Sequence, residues 1–428
     1  MLSQPLPRSL SASRRRPRAL AALVVGLCAL LLAGCGGEDP AQSAVDGSEL
    51  TVYSSMPLEG PDRVPALDVL RGERIALQEA GGRVGDYRVR LVSLDAATPE
   101  ADRWDPAQIS ENARRAGDDE SAIAYVGEFH TGSSAISVPL LNEAGLLQVS
   151  PIDSAMALTQ RTLSVPDSPG KYYPKAEEYG RTFKRLVPGD QRQAAAQLDW
   201  MRREGVDRLM VLSDEDPTGL GYAMTLRQLA RGYGISIAGR EDVDPHERDP
   251  RDLIRKIQES RADAVFYAGE AHEGAIRLWQ DLTVAEPELK LFAPGSLVDQ
   301  PFIDAVGAPA ASATYVTRPL QGLRAYPEPA ARFVRAYEKR YRAKPTPEAL
   351  YGYEAMSAVL AAIGAAEQAA GDEPLVRADV VRAFRALRRE GTVLGDYAFG
   401  PTGDPTLHRF GAYRVVDGEL VYERRLDG

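Results

Sequence analysis

Cysteine is nearly absent from this chain of 428 residues, which contains only Cys28 and Cys35. Both lie within the first 35 residues, so the remainder cannot form an internal disulfide even in a compartment that favours disulfides. We expect that remainder to be stabilised by apolar packing alone, and roughly 390 residues are enough for two hydrophobic cores.

Histidine is also scarce, and the four histidines do not show the spacing of a metal site: they are His130, His246, His272 and His408. The sequence has no His-x-x-x-His pair and no cysteine-based ligand set. His130 and His272 could be combined with Glu128 and Glu270 into a metal or hydrolase site, but a polar pocket lining is the more ordinary interpretation. We therefore predict no metal, no cofactor and no catalytic residue.

Positively charged residues are also fewer than negatively charged ones. The chain carries 61 Asp and Glu residues against 51 Lys and Arg residues, a formal net charge of −10. Removal of residues 1–34 would take away five arginines and no acidic residue, leaving a still more acidic chain. This charge argues against nucleic acid as a partner and against direct adsorption to anionic lipid.

The first 34 residues have the pattern of an export signal. Four arginines in residues 14–18 precede an apolar stretch from Ala19 to Leu32, which is shorter than the about 20 residues of a membrane-spanning helix. The stretch Leu32-Ala33-Gly34-Cys35 resembles the bacterial lipobox, in which the cysteine is lipidated and becomes the first mature residue. The alternatives are an ordinary signal peptide or a membrane helix that contains a cysteine.

The lipobox resemblance implies a location and an attachment. Residues 1–34 would be a lipoprotein signal peptide and residues 35–47 a flexible tether, with the lipid on Cys35. No later segment is expected to be long and apolar enough to cross a membrane. We therefore predict an extracytoplasmic protein that is anchored to the outer face of the cytoplasmic membrane.

Short apolar runs alternate with longer amphipathic stretches after the tether, and this alternation predicts an α/β fold. The strand cores are almost continuously apolar, as parallel strands covered on both faces require. Two units of similar size are expected, in residues 48–186 and 187–319, followed by helices near residues 328–342, 351–369 and 379–389. Two last strands, near residues 410–416 and 419–424, should form a hairpin at Asp417-Gly418.

Three loops that follow predicted strands carry chemically distinctive side chains, and ligands of open parallel sheets bind at such loops. Residues 127–134 contain Thr131, Ser133 and Ser134 at a helix start, where exposed backbone N–H groups suit a carboxylate. The alternative is a plain serine cap. Asp153 and Ser154 follow the next strand, and Asp153 either pairs with a ligand amine or caps the turn.

The third loop belongs to the second unit and contains Glu270. This glutamate either meets a ligand cation across a cleft or acts as an acid in the first turn of a helix, where the macrodipole favours it.

The order and spacing of these loops resemble the leucine/isoleucine/valine-binding family, the type I periplasmic solute-binding proteins of ABC importers, in the form of an actinobacterial-like lipoprotein. The resemblance runs from about Glu49 to the C-terminus. It includes Asp95, the loop at 127–134, the turn Ser150-Pro151 and the motifs at residues 214–221, 266–269 and 292–294.

The resemblance implies two doubly wound, Rossmann-like lobes joined by three crossovers, near Leu186, Pro319 and Phe399. One lobe would comprise residues 48–186 plus 320–399, and the other residues 187–319 plus 400–428. The C-terminal strands would then belong to the second lobe.

The resemblance also implies roles for individual residues. Ser133 or Ser134, with Thr131, would hold a ligand α-carboxylate, and Ser154 would supply a second hydroxyl contact. The family often has an acid for the α-amine where this chain has Gly295-Ser296, so Glu270 or Asp153 would have to replace it. If neither faces the cleft, the ligand is an amide, a small carboxylic acid or another polar metabolite, because a buried ammonium requires an anion.

The predicted function is therefore that of a monomeric, membrane-anchored solute-binding lipoprotein. It would capture a small polar ligand, an amino acid or a related amide or carboxylic acid, and deliver it to an ABC permease. The alternatives are a ligand-sensing receptor for a membrane signalling partner and, with less support, a hydrolase or metal-binding protein that uses the same cleft.

Overall fold

Two mainly parallel β-sheets, each with a hydrophobic core on both faces, form the frame of the molecule. The computed structural model describes residues 47–99, 103–214 and 216–428, so the signal-like segment and Cys35 lie outside the described residues. Alternate residues of each central strand enter different cores, as Val52 and Tyr53 do in the first sheet and Leu209 and Met210 in the second. The predicted α/β class is confirmed.

The first sheet has six strands in the order β2-β3-β1-β4-β5-β6, and all pairs except β2–β3 are parallel. Asp105 accepts a hydrogen bond from the Gln108 N–H at 2.8 Å and caps the helix that starts at Pro106. The elements of this half are β1 (Glu49–Met56), α1 (Arg63–Glu79), β2 (Arg83–Val84), β3 (Tyr87–Asp95), α2 (Pro106–Asp118), β4 (Ala122–Val126), α3 (Thr131–Glu143), β5 (Leu147–Ser150), α4 (Ala176–Tyr179) and β6 (Phe183–Arg185).

The second sheet begins after β6 and has a parallel part made of five strands in the order β11-β10-β9-β7-β8. Trp200 and Trp279 are fully buried in its two cores, as their helical positions predict. Its elements are α5 (Asp190–Arg203), β7 (Arg208–Ser213), α6 (Pro217–Ala230), β8 (Ser236–Asp242), α7 (Arg251–Ser260), β9 (Ala264–Ala268), α8 (Glu273–Ala285), β10 (Lys290–Pro294), α9 (Gln300–Val306), α10 (Ala308–Ala313) and β11 (Thr314–Arg318).

The chain then returns to the first core. Buried residues of the later helices, such as Phe333, Met356 and Phe384, share one hydrophobic cluster with Val52 of β1. The returning elements are α11 (Glu328–Tyr341), α12 (Glu348–Ala370), α13 (Arg377–Ala386), β12 (Arg388–Thr392) and β13 (Gly395–Ala398).

The C-terminal strands β14 (Arg409–Val416) and β15 (Glu419–Asp427) join the second sheet next to β11. Asp417 and Gly418 have φ angles of 53° and 81°, and positive φ at both central residues is the geometry of a type I′ hairpin turn. The predicted hairpin is confirmed.

Some expectations about the elements were wrong. Helix α13 was expected to continue to Arg389 but ends at Ala386, and β12 starts at Arg388. The short strands β6 and β11 were not predicted. No segment after the signal was expected to be long and apolar enough to cross a membrane, but helix α12 is, by length and composition. Since 72 % of its most apolar part is buried inside the protein, it has the burial of a core helix.

Candidate functional site

A cavity of about 210 Å³ lies between the two lobes, where the carboxyl ends of strands from both sheets meet. Its walls come from the loops after β5 and β7 and from the starts of α3, α5 and α6. The lining residues are Thr131, Gly132, Ala135, Ala155, Met156, Ala157, Leu158, Thr162, Ser164, Val165, Lys171, Tyr172, Asp190, Asp216, Pro217, Thr218, Gly221 and Tyr222.

The first-lobe wall is built around the start of α3. Thr131 Oγ1 donates a hydrogen bond to Asp153 Oδ1 at 3.0 Å, so the loops after β4 and β5 are held together. Asp153 is buried, and its Oδ1 also accepts the Ala155 N–H at 3.0 Å. Gly132 is needed here because a Cβ atom at this position would lie 2.4 Å from the ring of Trp104, which packs over the helix start.

The second-lobe wall is formed by α5 and α6. Asp190, the first residue of α5, lines the cavity and is only 6 % exposed. Burial raises the pKa of Asp190 to about 7, although a hydrogen bond from Ser154 and the charge of Arg185 act in the opposite direction. Asp216 caps α6 by accepting the Thr218 and Gly219 N–H groups at 2.8 and 3.2 Å.

The two walls also touch directly. The Thr225 hydroxyl of α6 lies 3.9 Å from the Met156 sulfur, and a Cβ atom at Gly221 would lie 2.6 Å from Ser164 Oγ. The segment after β5 therefore packs closely on α6, and the cavity takes walls from both halves of the molecule.

The sequence-predicted residues differ in their relation to this cavity. Thr131 lines it, and Asp153 is hydrogen-bonded to Thr131. Ser154 is joined to the second-lobe wall, because its carbonyl accepts the Asp190 N–H at 2.9 Å. Ser133 and Ser134 are buried in the first turn of α3, behind the lining: Ser133 Oγ donates to the His130 carbonyl at 2.6 Å.

Two buried oxygens close to the cavity have no hydrogen-bond partner among the described residues. They are Ser134 Oγ and Asp153 Oδ2. Buried polar atoms are normally paired, so each marks a place for a further donor or acceptor. The assignment of Thr131, Ser133, Ser134, Asp153, Ser154 and Glu270 as ligand contacts stays a prediction.

Glu270 is exposed and does not line the cavity. Its N–H donates to Asp214 Oδ2 at 2.9 Å. Desolvation raises its pKa, and the charges of Arg103 and His130 in the first lobe lower it in part. Glu270 therefore faces the other lobe, but from outside the cavity.

Arg103 connects the lobes close to this point. Its guanidinium contacts Asp62 of the first lobe at 3.1 Å and also pairs with Asp299, which caps α9 in the second lobe. Burial alone would raise the pKa of Asp62, but the contacts with His130 and Arg103 outweigh it and hold this pKa below its usual value. This ion pair joins loops beyond the carboxyl ends of β1, β3 and β10.

Glu128 is buried beneath the site rather than exposed in it. Its carboxyl group accepts hydrogen bonds from Tyr125 at 2.5 Å and from Ser55 at 3.1 Å, and burial raises its pKa to about 8. Within the described residues, no group of three or more His, Cys, Asp and Glu side chains could hold a metal ion.

Several of the residues that line the cavity were not identified from the sequence. Asp190 lies one residue before the predicted start of its helix, and Tyr222 falls inside a predicted helix, where an aromatic residue usually belongs to the core. Met156, Lys171 and Tyr172 lie in a stretch for which no element was predicted. Asp190 could have been identified from the sequence in one way, as an acidic residue at the start of the helix that directly follows the first crossover.

The comparisons with known proteins agree with this geometry. The family model described as periplasmic binding protein matches residues 54–419. The Leu/Ile/Val-binding protein homolog 2 of Brucella abortus is 25 % identical over 404 residues, which cover 93 % of this chain and 96 % of that protein.

Solved structures show the same fold. A leucine-binding protein, LivK, from Thermotoga maritima aligns with a TM-score of 0.71 and 19 % identity over 88 % of this chain and 99 % of that one. A solute-binding protein of an ABC transporter from R. palustris, solved with benzoate, aligns with a TM-score of 0.64 and 19 % identity over 87 % and 95 % of the two chains.

Proposed function

The chain belongs to the periplasmic binding protein family, and from this membership we propose that it is the solute receptor of an ABC importer of the branched-chain amino-acid type. Members of the family are binding proteins rather than enzymes, and they work outside the cytoplasm. The observation that carries the proposal is the cavity of about 210 Å³ with walls from both lobes.

The ligand is a small polar molecule, an amino acid or a related amide or carboxylic acid. Most of the wall is apolar and a few polar groups converge on it, which is the usual composition of a small-molecule site. A ligand carboxylate would meet Thr131 and the first N–H groups of α3, with Ser133 and Ser134 behind them. The names of relatives support this class, since they bind Leu, Ile and Val or benzoate.

The mechanism is closure of two lobes on the ligand. The lobes comprise residues 48–186 plus 320–399 and residues 187–319 plus 400–428, and they turn about crossovers near Leu186, Pro319 and Phe399. Sheet membership supports these boundaries, because β6 and β7 belong to different sheets and β14 returns to the second. Ligand that contacts both lobes shifts the population to the closed form, and the closed monomer docks on the permease.

A thermal-shift screen tests this function. L-leucine, L-leucinamide, 4-methylpentanoate and benzoate are added separately to the purified protein. A compound present at a hundredfold excess over its Kd should increase the free energy of unfolding by about 2.7 kcal/mol, a clear rise in melting temperature. No shift with any member of the panel would contradict the ligand class, and turnover of a member would indicate an enzyme.

Membrane attachment through Cys35 is part of the proposal and has its own test. The substitution Cys35→Ser should remove the lipid and release the exported protein from the membrane fraction into the soluble extracytoplasmic fraction. Cys28→Ser, which lies inside the apolar stretch of the signal, is the matched control and should leave the protein in the membrane fraction. Equal membrane retention of both variants would contradict lipid attachment at Cys35.

A further inference from the structure

Asp190 is a buried acid on the cavity wall that has no ion-pair partner in the described part of the chain. Arg185, whose positive charge acts on Asp190, pairs instead with Asp404 at 2.7 Å and donates a hydrogen bond to the Ala155 carbonyl at 2.7 Å. A carboxylate that is removed from water is costly unless a cation or several donors meet it. Asp190 therefore lacks the partner that would make its negative charge favourable.

The surroundings of Asp190 are largely apolar and aromatic. Met156, Leu158 and Tyr172 line the same cavity with apolar and aromatic surface. Tyr222, which is 5 % exposed, also lines the cavity. Asp190 is thus a buried acid in a small space whose walls are mostly apolar and aromatic.

The charges at the wall are complementary to a zwitterion. Lys171 lines the cavity from the first lobe and places its ammonium group 5.7 Å above the ring of Tyr172. Asp190 lies on the wall of the second lobe. A molecule whose carboxylate meets the start of α3, on the same wall as Lys171, and whose ammonium group meets Asp190 would complement both walls. A simple carboxylic acid would leave Asp190 unpaired.

We infer that Asp190 is the specificity-determining residue that receives the ammonium group of the ligand, so that the protein selects amine-bearing acids over their deaminated analogues. This inference rests on the proposed solute-binding function. It replaces the predicted candidates for this role, because neither Glu270 nor Asp153 lines the cavity, whereas Asp190 does.

The test compares ligand pairs that differ only in the amine. The affinities of L-leucine against 4-methylpentanoate and of L-phenylalanine against 3-phenylpropanoate are measured by calorimetry on the full chain. The wild type should prefer the amine-bearing member of a pair. Asp190→Asn should weaken that member about 100-fold, as expected when one partner of a buried charge pair is removed, and leave the deaminated member within about threefold.

Controls separate the possible results. Asp199→Asn makes the same change on the same helix, at a residue whose carboxylate pairs with Arg203 at 2.7 Å, and should leave all affinities unchanged. Unchanged affinity for 4-methylpentanoate in Asp190→Asn shows that this variant is folded. A wild type that binds the deaminated member equally well, or an equal loss for both members, would overturn the inference but leave the solute-binding function intact. Absence of binding by every compound would overturn both.

The number of protons released on ligand binding gives a second test, because a purely structural role of Asp190 would not change that number. The groups facing Asp190 are Arg185 of β6, Asp153 and Ser154 after β5, and Tyr222 of α6. A bound ammonium group lowers the pKa of Asp190 from its value of about 7 in the free protein. Binding of L-leucine at pH 7 should therefore release roughly half a proton, measured in buffers of different ionisation enthalpy, and Asp190→Asn should abolish the release. Equal release by the two proteins would contradict the inference.

Discussion

At the scale of single residues, two buried polar atoms close to the cavity are not satisfied by the protein itself. Ser134 Oγ and Asp153 Oδ2 have no hydrogen-bond partner among the described residues. Such atoms are unfavourable in the free protein and become favourable when a ligand pairs with them. Thr131 is the hydroxyl residue of α3 that reaches the cavity surface itself.

The first prediction concerns this threonine. Thr131→Val keeps the shape of the side chain but removes the hydroxyl that donates to Asp153. Loss of this hydrogen bond to a charged group, which contributes roughly 1.5 kcal/mol, should loosen the helix start that meets the ligand carboxylate and lower the affinity for L-leucine about tenfold. Titration calorimetry measures the change. Thr283→Val in α8, whose hydroxyl donates to the Trp279 carbonyl at 2.8 Å, is the control and should bind normally. An unchanged affinity in Thr131→Val would remove this residue from the carboxylate site.

The chemistry of individual positions was only partly predictable from the sequence. The placement of Thr131, Asp153 and Ser154 at one sheet edge was predictable, because hydroxyls and an acid follow apolar strands and strand ends meet there; their role as ligand contacts stays a prediction. Asp190 and Tyr222 were missed, since their role depends on which surface of the second lobe faces the first. That relation is set by packing between distant parts of the chain, and local periodicity carries no information about it.

At the scale of elements, helix starts position most of the polar groups near the cavity. Asp216 caps α6, and His272 caps α8 by accepting the Ala275 N–H at Nδ1, at 3.0 Å. The other ring nitrogen of His272 lies 2.6 Å from the Tyr267 hydroxyl, which is in turn 3.3 Å from Asp214. Because Nδ1 must accept, the cap needs neutral histidine, and desolvation lowers the pKa of His272 despite the nearby charges of Asp214 and Asp244.

The second prediction follows from the charge of this cap. A histidine whose pKa is lowered by folding stabilises the folded state above its unfolded pKa of about 6.5, and this stabilisation is lost as the pH falls through the folded value. His272→Ala should therefore lower the free energy of unfolding by about 1 kcal/mol at pH 8 and by much less at pH 5. His272→Asn keeps a capping acceptor and should be less destabilising at pH 8. Chemical unfolding at both pH values measures the differences, and a loss in His272→Ala that grows toward pH 5 would contradict the assigned state.

The long elements were predictable because their hydrophobic periodicity is strong, and the strand Leu147–Ser150 was predicted with its observed bounds. Helix α3 begins at Thr131, three residues earlier than expected, since its first turn is small and polar and has no apolar periodicity. The predicted helix at residues 379–389 included Arg388 and Arg389, the first two residues of β12, because these charged residues fit either structure; β13 was not predicted.

At the scale of the whole molecule, Arg103 joins loops of the two lobes beyond the carboxyl ends of their strands. Arg103 links Asp62 of the first lobe with Asp299 of the second, and the side chains are 26 %, 13 % and 20 % exposed. Movement of the lobes away from each other would break the contact with Asp299. The ion pair therefore favours the closed form over the open form without touching the ligand.

The third prediction tests this contact. Arg103→Gln should weaken binding of L-leucine two- to fivefold, because a partly exposed ion pair contributes about 0.5–1 kcal/mol to the closed state. Arg90→Gln, which disrupts an ion pair with Glu49 inside the first lobe at 3.3 Å, should leave the affinity unchanged. Calorimetry at low and high salt measures both variants. An equal effect of the two substitutions would contradict a role of Arg103 in closure.

The central claim is that a small solute is enclosed between two lobes that close on it, and a distance measurement across the cleft tests it most directly. Spin labels are placed by Glu59→Cys and Glu247→Cys, two exposed positions beyond the carboxyl ends of β1 and β8, in the chain with Cys28→Ser and Cys35→Ser. With the panel compound that raises the melting temperature most, the distance between the labels should become shorter and more narrowly distributed. The same distance distribution with and without a compound that stabilises the protein would contradict the account.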